Sequence, residues 1–218
     1  MTLSPTEQAT PPRPTSQISP TSSPRVLRPL GILLLVCGLT GLVAASALLV
    51  EKISVLEDPE HIPSCNVSPV LSCGSVMNTA QAEAFGIPNP IIGIAGFAVL
   101  AMTGTVLVAG FTMPRWFRVS LQLGVTFAVI FVHWLIAQSL YSIGALCPYC
   151  MVVWAVTIPA FWYTTVALLQ SVRHTGPPWV HRAVILVTDY RGTLLTVWLL
   201  VIVALVTHRF WDYWSSLL

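Results

Sequence analysis

Between Arg118 and Arg173 the chain runs 54 residues without a charge: VSLQLGVTFAVIFVHWLIAQSLYSIGALCPYCMVVWAVTIPAFWYTTVALLQSV, residues 119–172. As a single helix this stretch is about 80 Å long, against a bilayer hydrocarbon core of about 30 Å. It therefore reads as two spanning helices joined by a short hairpin. The break that suits is Gln138 to Pro148, which holds Gly144 and Pro148. Two adjacent apolar helices of spanning length decide the solvent of the fold, which is lipid.

The flanks agree. Pro29 to Val50 is an uncharged run of 22 residues and predicts one span. Glu83 and Arg115 bracket another uncharged stretch. Its start, Phe85-Gly86-Ile87-Pro88-Asn89-Pro90, is broken by two prolines, so the helix is expected from about Ile91 to Thr112. A fifth span is expected over Gly192 to His208, followed by Phe210, Trp211, Tyr213 and Trp214 as interfacial aromatics. Val180–Val187 is too short to cross and reads as an interfacial or loop helix. Before the first span, residues 1–28 are rich in Pro, Ser and Thr with almost nothing apolar, which predicts a disordered tail. The expected organisation is a tail (1–28), a four-helix bundle (29–170) with an outer loop at 51–90, a connection (171–191) and a fifth helix with the C-terminal end (192–218). The fold class is an all-α integral membrane protein.

Composition excludes the alternatives. Of 218 residues 55% are hydrophobic and 8% charged, where soluble domains carry about a quarter charged. Eighteen charged residues cannot wet the exterior of a soluble enzyme of this length. A net charge of +2 with no basic cluster leaves no face for nucleic acid. The spans lack acidic residues, so an ion pump or proton-coupled transporter lacks its usual ionisable groups. Charge also sets orientation. Arg13, Arg25, Arg28, Arg115, Arg118, Arg173, Arg182 and Arg191 fall on one side of a five-span arrangement, leaving Lys52 and Arg209 opposite. By the positive-inside rule the N-terminus is cytoplasmic and the 51–90 loop and 138–148 hairpin face outward.

Four of the five cysteines fall on that outer side: Cys65 and Cys73 in the loop, and Cys147-Pro148-Tyr149-Cys150 opening the fourth span. Disulfide chemistry belongs to extracytoplasmic compartments. At i and i+3 the sulfurs of Cys147 and Cys150 share a helix face, and the helix N-terminus favours a thiolate at Cys147. A static bridge across so small a loop stabilises little, so redox exchange is the better reading. Zinc is disfavoured, since His61 is the only histidine on that side outside the C-terminal end, which makes a poor ligand set. Cys65 and Cys73 alone would suit a structural bridge equally well. Beside a second pair they suit a relay by successive thiolate attack, with a lipid quinone as final acceptor. Cys37, mid-span, reads as a small apolar residue, and His133 as hydrogen-bonded within the bundle.

Five spans, a C-x7-C pair in the first outer loop and C-x-x-C opening the fourth span resemble the bacterial branch of the vitamin K epoxide reductase family. The stretch Cys73-Gly74-Ser75-Val76-Met77-Asn78-Thr79 followed by Phe85-Gly86-Ile87-Pro88 is similar to that family's loop and short half-helix over the active site. The DsbB family, also quinone-linked, has the two pairs in the opposite order. The resemblance implies that Cys147 and Cys150 form the active-site pair, Cys150 facing the quinone and Cys147 exchanging with Cys73. It implies that Cys65 exchanges with a periplasmic DsbA-like thioredoxin-fold partner. It places Asn78, Thr79 and Trp154 near the quinone, menaquinone or ubiquinone, with no metal. The implied function is quinone-dependent disulfide generation at a bacterial inner membrane, with no thioredoxin-like domain fused to this chain. The alternatives are quinone-epoxide reduction with the same cysteines and a non-enzymatic scaffold with structural disulfides.

Overall fold

A computed structural model describes residues 24–58, 60–172 and 178–215. The described residues build an all-α membrane protein with five helices long and apolar enough to cross a bilayer. Helices satisfy their own main-chain hydrogen bonds, which the hydrocarbon core demands of any spanning segment.

The first helix, α1 (Pro24–Glu57), begins earlier than Pro29 and ends two turns beyond Val50. Residues 1–23 of the expected tail lie outside the described residues, while Arg25 and Arg28 belong to the first turns of α1. At the other end the charges of Glu51, Lys52 and Glu57 mark where the hydrocarbon stops, not where the helix stops. The expected loop therefore starts with helix. It continues through a short helix, α2 (Cys73–Met77), and a 3₁₀ turn over Ala80–Glu83.

Helix α3 (Asn89–Val108) starts with Pro90 in its first turn, where a missing N–H is harmless. It stops before Thr112 because Gly110 takes φ +90°, a conformation that closes a helix C-terminus. Helix α4 (Arg115–Ala137) runs on into a π turn over Gln138–Ile143, ended by Gly144 at φ +70°. The hairpin expected at 138–148 is thus tighter than predicted, its first half being still helical. Helix α5 (Pro148–Val172) opens on Pro148. Then follow α6 (Pro178–Asp189), longer than the expected Val180–Val187, α7 (Arg191–Arg209), which is the fifth span, and α8 (Trp211–Ser215), which carries three of the expected interfacial aromatics, Trp211, Tyr213 and Trp214.

The bundle has α1 at its centre, packed along α3 on one side and α5 on the other, with α4 against α5. Lipid tails are as apolar as leucine, so close packing holds such helices together. Glycines allow the approach: a Cβ at Gly38 would lie 2.7 Å from the Ala101 Cα, and one at Gly104 would lie 2.7 Å from the Leu35 Cα. Helices α3 and α4, neighbours in the chain, do not pack along each other. The gap between them is the feature that positions the site. Helix α7 packs lightly on α5 and buries none of its spanning stretch. Its C-terminal end is better anchored: Phe210 is buried with Leu140, Leu146 and Trp154, and Arg209 Nε donates to the Leu140 carbonyl at 2.8 Å.

Candidate active site

Two segments far apart in the chain meet through main-chain hydrogen bonds. Ser72 N–H donates to Leu146 O at 2.9 Å, and Leu146 N–H donates to Val70 O at 2.8 Å, so Leu71 and Leu146 form one parallel bridge. Cys73 follows two residues after Leu71, and Cys147 one residue after Leu146. The bridge thus sets the register of two cysteines 74 residues apart. Ser72 also caps α2, its Oγ accepting from Ser75 N–H at 3.2 Å. Asn66 Oδ1 accepts from Gly74 N–H at 3.0 Å and from Ser72 Oγ at 3.1 Å. These contacts tie the Cys65 turn to the helix that carries Cys73.

The sulfurs form a row. Cys65 and Cys73 are joined by a disulfide. Cys73 Sγ lies 3.2 Å from Cys147 Sγ, and both residues are fully buried. Cys150, one helical turn on, directs its N–H at Cys147 Sγ from 3.4 Å. Cys147 sits just before the fourth span. Its pKa is held below the ordinary thiol value, first by the Cys150 side-chain hydrogen bond and then by the N–H groups of Cys150 and Tyr149; burial acts the other way and is outweighed. The arrangement places a stabilised thiolate position in contact with one sulfur of a disulfide, the geometry that thiol exchange needs.

Beyond Cys150 lies a cavity of about 640 Å³ in the gap between α3 and α4. Its wall is overwhelmingly apolar, from Ile92, Gly93 and Val99 on α3 to Phe117, Gly124 and Phe131 on α4. The cysteine end is covered by the segment 76–90. That lid is pinned by Asn89, whose Nδ2 donates to Gln81 O at 2.7 Å and whose Oδ1 accepts from Ala84 N–H at 3.2 Å. Phe85 rests on Phe127 and Phe131, with ring centroids 6.0 and 5.3 Å apart. Cys150, Thr79, Trp154, Gln81, Asn89 and Lys52 are among the polar-bearing side chains on the wall. Trp154 is buried and its Nε1–H has no acceptor among the described residues. An apolar volume of this size with an unused buried donor beside a cysteine fits a quinone ring, whose oxygens are acceptors and whose tail is hydrocarbon.

Cys65, Cys73, Cys147 and Cys150 are brought into one cluster, and Thr79 and Trp154 reach the cavity wall. Thr79 Oγ1 donates to Val76 O at 2.8 Å, leaving the oxygen free only as an acceptor. Asn78 is placed elsewhere. It is the exposed C-cap of α2, its N–H bonded to Gly74 O at 3.3 Å, and it does not line the cavity. The cap geometry takes its side chain out of the wall. The asparagine on the wall is Asn89, which the two flanking prolines disguised as a loop residue. Cys37 is buried in the apolar cluster between α1, α3 and α5, away from the other sulfurs. His133 bonds the Val129 carbonyl through Nδ1 at 2.7 Å and accepts from Trp198 Nε1 at 3.0 Å, which links α4 to α7.

The vitamin K epoxide reductase family matches residues 32–165, more than half of the 218-residue chain. No curated protein matches it. The matched stretch contains the four clustered cysteines and every element that lines the cavity, whereas α6, α7 and α8 lie beyond it.

Proposed function

Because the chain belongs to the vitamin K epoxide reductase family, a family of membrane oxidoreductases that use quinones, we propose that it generates disulfides by relaying electrons from an extracytoplasmic thiol protein to a membrane quinone. The observation that carries this reading is the contact between Cys73 and Cys147 at 3.2 Å, with Cys150 on the wall of the apolar cavity.

The relay proceeds in balanced steps. A thiolate of a DsbA-like thioredoxin-fold partner attacks the Cys65–Cys73 disulfide at Cys65, the less deeply buried of the two sulfurs. The partner leaves oxidised, and Cys65 and Cys73 are left as a dithiol. Cys73 thiolate then attacks Cys147, breaking the Cys147–Cys150 bond and releasing Cys150 as thiolate. Cys65 attacks Cys73, re-forming the loop disulfide and expelling Cys147. A low thiol pKa makes Cys147 a good leaving group at that step. A quinone bound in the cavity supplies the acceptor for two electrons and two protons. Cys150 delivers the electron pair, Cys147 thiolate closes on Cys150 Sγ to restore their disulfide, and the two thiol protons complete the quinol. Lys52, Glu51 and the acidic loop would then lie on the extracytoplasmic side of a bacterial inner membrane, with the N-terminus inside.

The test is Cys150→Ser in purified protein supplied with a reduced thioredoxin-fold partner and quinone. Quinol formation is expected to vanish while thermal stability stays within about 1 kcal/mol, since the swap is nearly isosteric. Undiminished quinol formation would sink the relay. A protein that makes no quinol as wild type, and unfolds when Cys65 is replaced, would be a scaffold.

A further inference from the structure

We propose that Lys52 is a quinone-contacting catalytic residue, its ammonium binding the ring oxygen on which negative charge builds as electrons leave Cys150. The proposal deepens the quinone-reductase reading and rests on it for the identity of the acceptor.

Lys52 is the only charged side chain among the described residues that line the cavity, and it shares that wall with Cys150 and Thr79. It is almost fully buried, at 9% exposure. Its ion-pair partner Glu83, 3.1 Å away, has a side chain 45% exposed. An ammonium carries three donors. One goes to the Met77 carbonyl at 2.8 Å and one to Glu83 Oε1. The third has no acceptor among the described residues.

A staple between α1 and the lid does not require a buried charge. Apolar side chains of similar volume commonly serve as well or better, because two ions must be stripped of water. The chemistry here supplies a use. Oxidising the Cys147/Cys150 dithiol forms one S–S bond and breaks two S–H bonds; the two electrons and two protons convert both ring carbonyls to hydroxyls. Between electron arrival and protonation an oxygen carries negative charge in a water-poor cavity, where a preset donor is worth most. Trp154 Nε1–H, neutral and without an acceptor among the described residues, suits the oxygen that stays neutral longer. Lys52 suits the one that charges first. It keeps its own proton throughout, because that oxygen takes up a thiol proton, so it is not consumed.

The experiment uses full-length protein in lipid nanodiscs. In a Cys150→Ser background, which cannot turn over, tryptophan quenching gives the affinities of an ionised hydroxynaphthoquinone and of its neutral methoxy counterpart. With Lys52 present the anionic ring is expected to bind at least tenfold tighter. Lys52→Met should erase that preference, and Lys52→Arg should keep most of it. In the Cys150-containing protein Lys52→Met should lower kcat for quinone reduction about a hundredfold, with the Cys73-to-Cys147 exchange rate unchanged. Equal weakening of both ligands, or equal damage to exchange and quinone reduction, would make Lys52 a structural staple and overturn the proposal. So would wild-type turnover in Lys52→Met. An anion preference that depends on Lys52, in a wild type that reduces no quinone, would keep the site and reject the quinone-reductase function.

Discussion

Cys147 occupies the junction of the proposed relay, touching Cys73 on one side and receiving the Cys150 N–H on the other. Its depressed pKa has a calculable sign. A thiol with a lowered pKa is already thiolate at pH values where an ordinary cysteine is protonated, and it loses that form only as pH falls through the lowered value. With Cys65 and Cys73 both replaced by Ala and the remaining pair reduced, the first ultraviolet thiolate absorbance should therefore titrate in below pH 9.0, the ordinary thiol value. An inflection at or above that pH would show that the Cys150 and Tyr149 donors do not hold the thiolate. At this scale the sequence was informative where chemistry is written into residue type. Four cysteines with two spacings indicated exchange, and the structure gathers them. It was silent where function depends on contact. Lys52 looked like a loop charge because a charge was taken to end the first span. The resemblance pointed to Asn78 near the quinone, and the structure makes that residue the exposed cap of α2.

Among elements, the pairing of α1 with α3 fixes the cavity by leaving α4 no place against α3. That pairing rests on glycines, and Gly38 tests it. A leucine side chain there would drive into the Ala101 backbone, which cannot give way as a flexible side chain can. Gly38→Leu should cost about 1–3 kcal/mol or more of stability, seen as earlier thermal unfolding in detergent. Gly96→Leu, where a Cβ meets nothing within 4 Å, should be tolerated far better for stability. Equal loss in both would remove close helix approach as the explanation. Spans were legible because 20-odd uncharged residues in lipid have few alternatives. Their ends were not, since hydrogen bonding continues past the hydrocarbon edge in α1 and past Ala137 through the π turn. The Leu71–Leu146 bridge was invisible: one isolated pair of main-chain bonds leaves no periodicity to read.

For the molecule as a whole, five spanning helices place the cysteine cluster at one end of the bundle and the 109–114 turn with α6 at the other. The proposed orientation rests on charge alone. Eight of the ten basic residues fall at or before position 28, at 115 and 118, or between 173 and 191, and translocating them costs more than retaining them. Two single-cysteine variants in a background without native cysteines decide the matter: Ile62→Cys, at a position 76% exposed in the loop before Cys65, and Arg182→Cys, exposed on α6. A membrane-impermeant maleimide added to intact cells should label position 62 and leave position 182 untouched until the membrane is opened. Labelling of position 182 alone would invert the protein, turn the Cys65–Cys73 pair toward a reducing cytoplasm, and remove the extracytoplasmic partner from the scheme. Labelling of both from outside would break the count of spans between them. The expected pattern instead sets the dithiol-reactive end in an oxidising space, with the cavity leading from it into the bilayer where a hydrophobic acceptor dissolves.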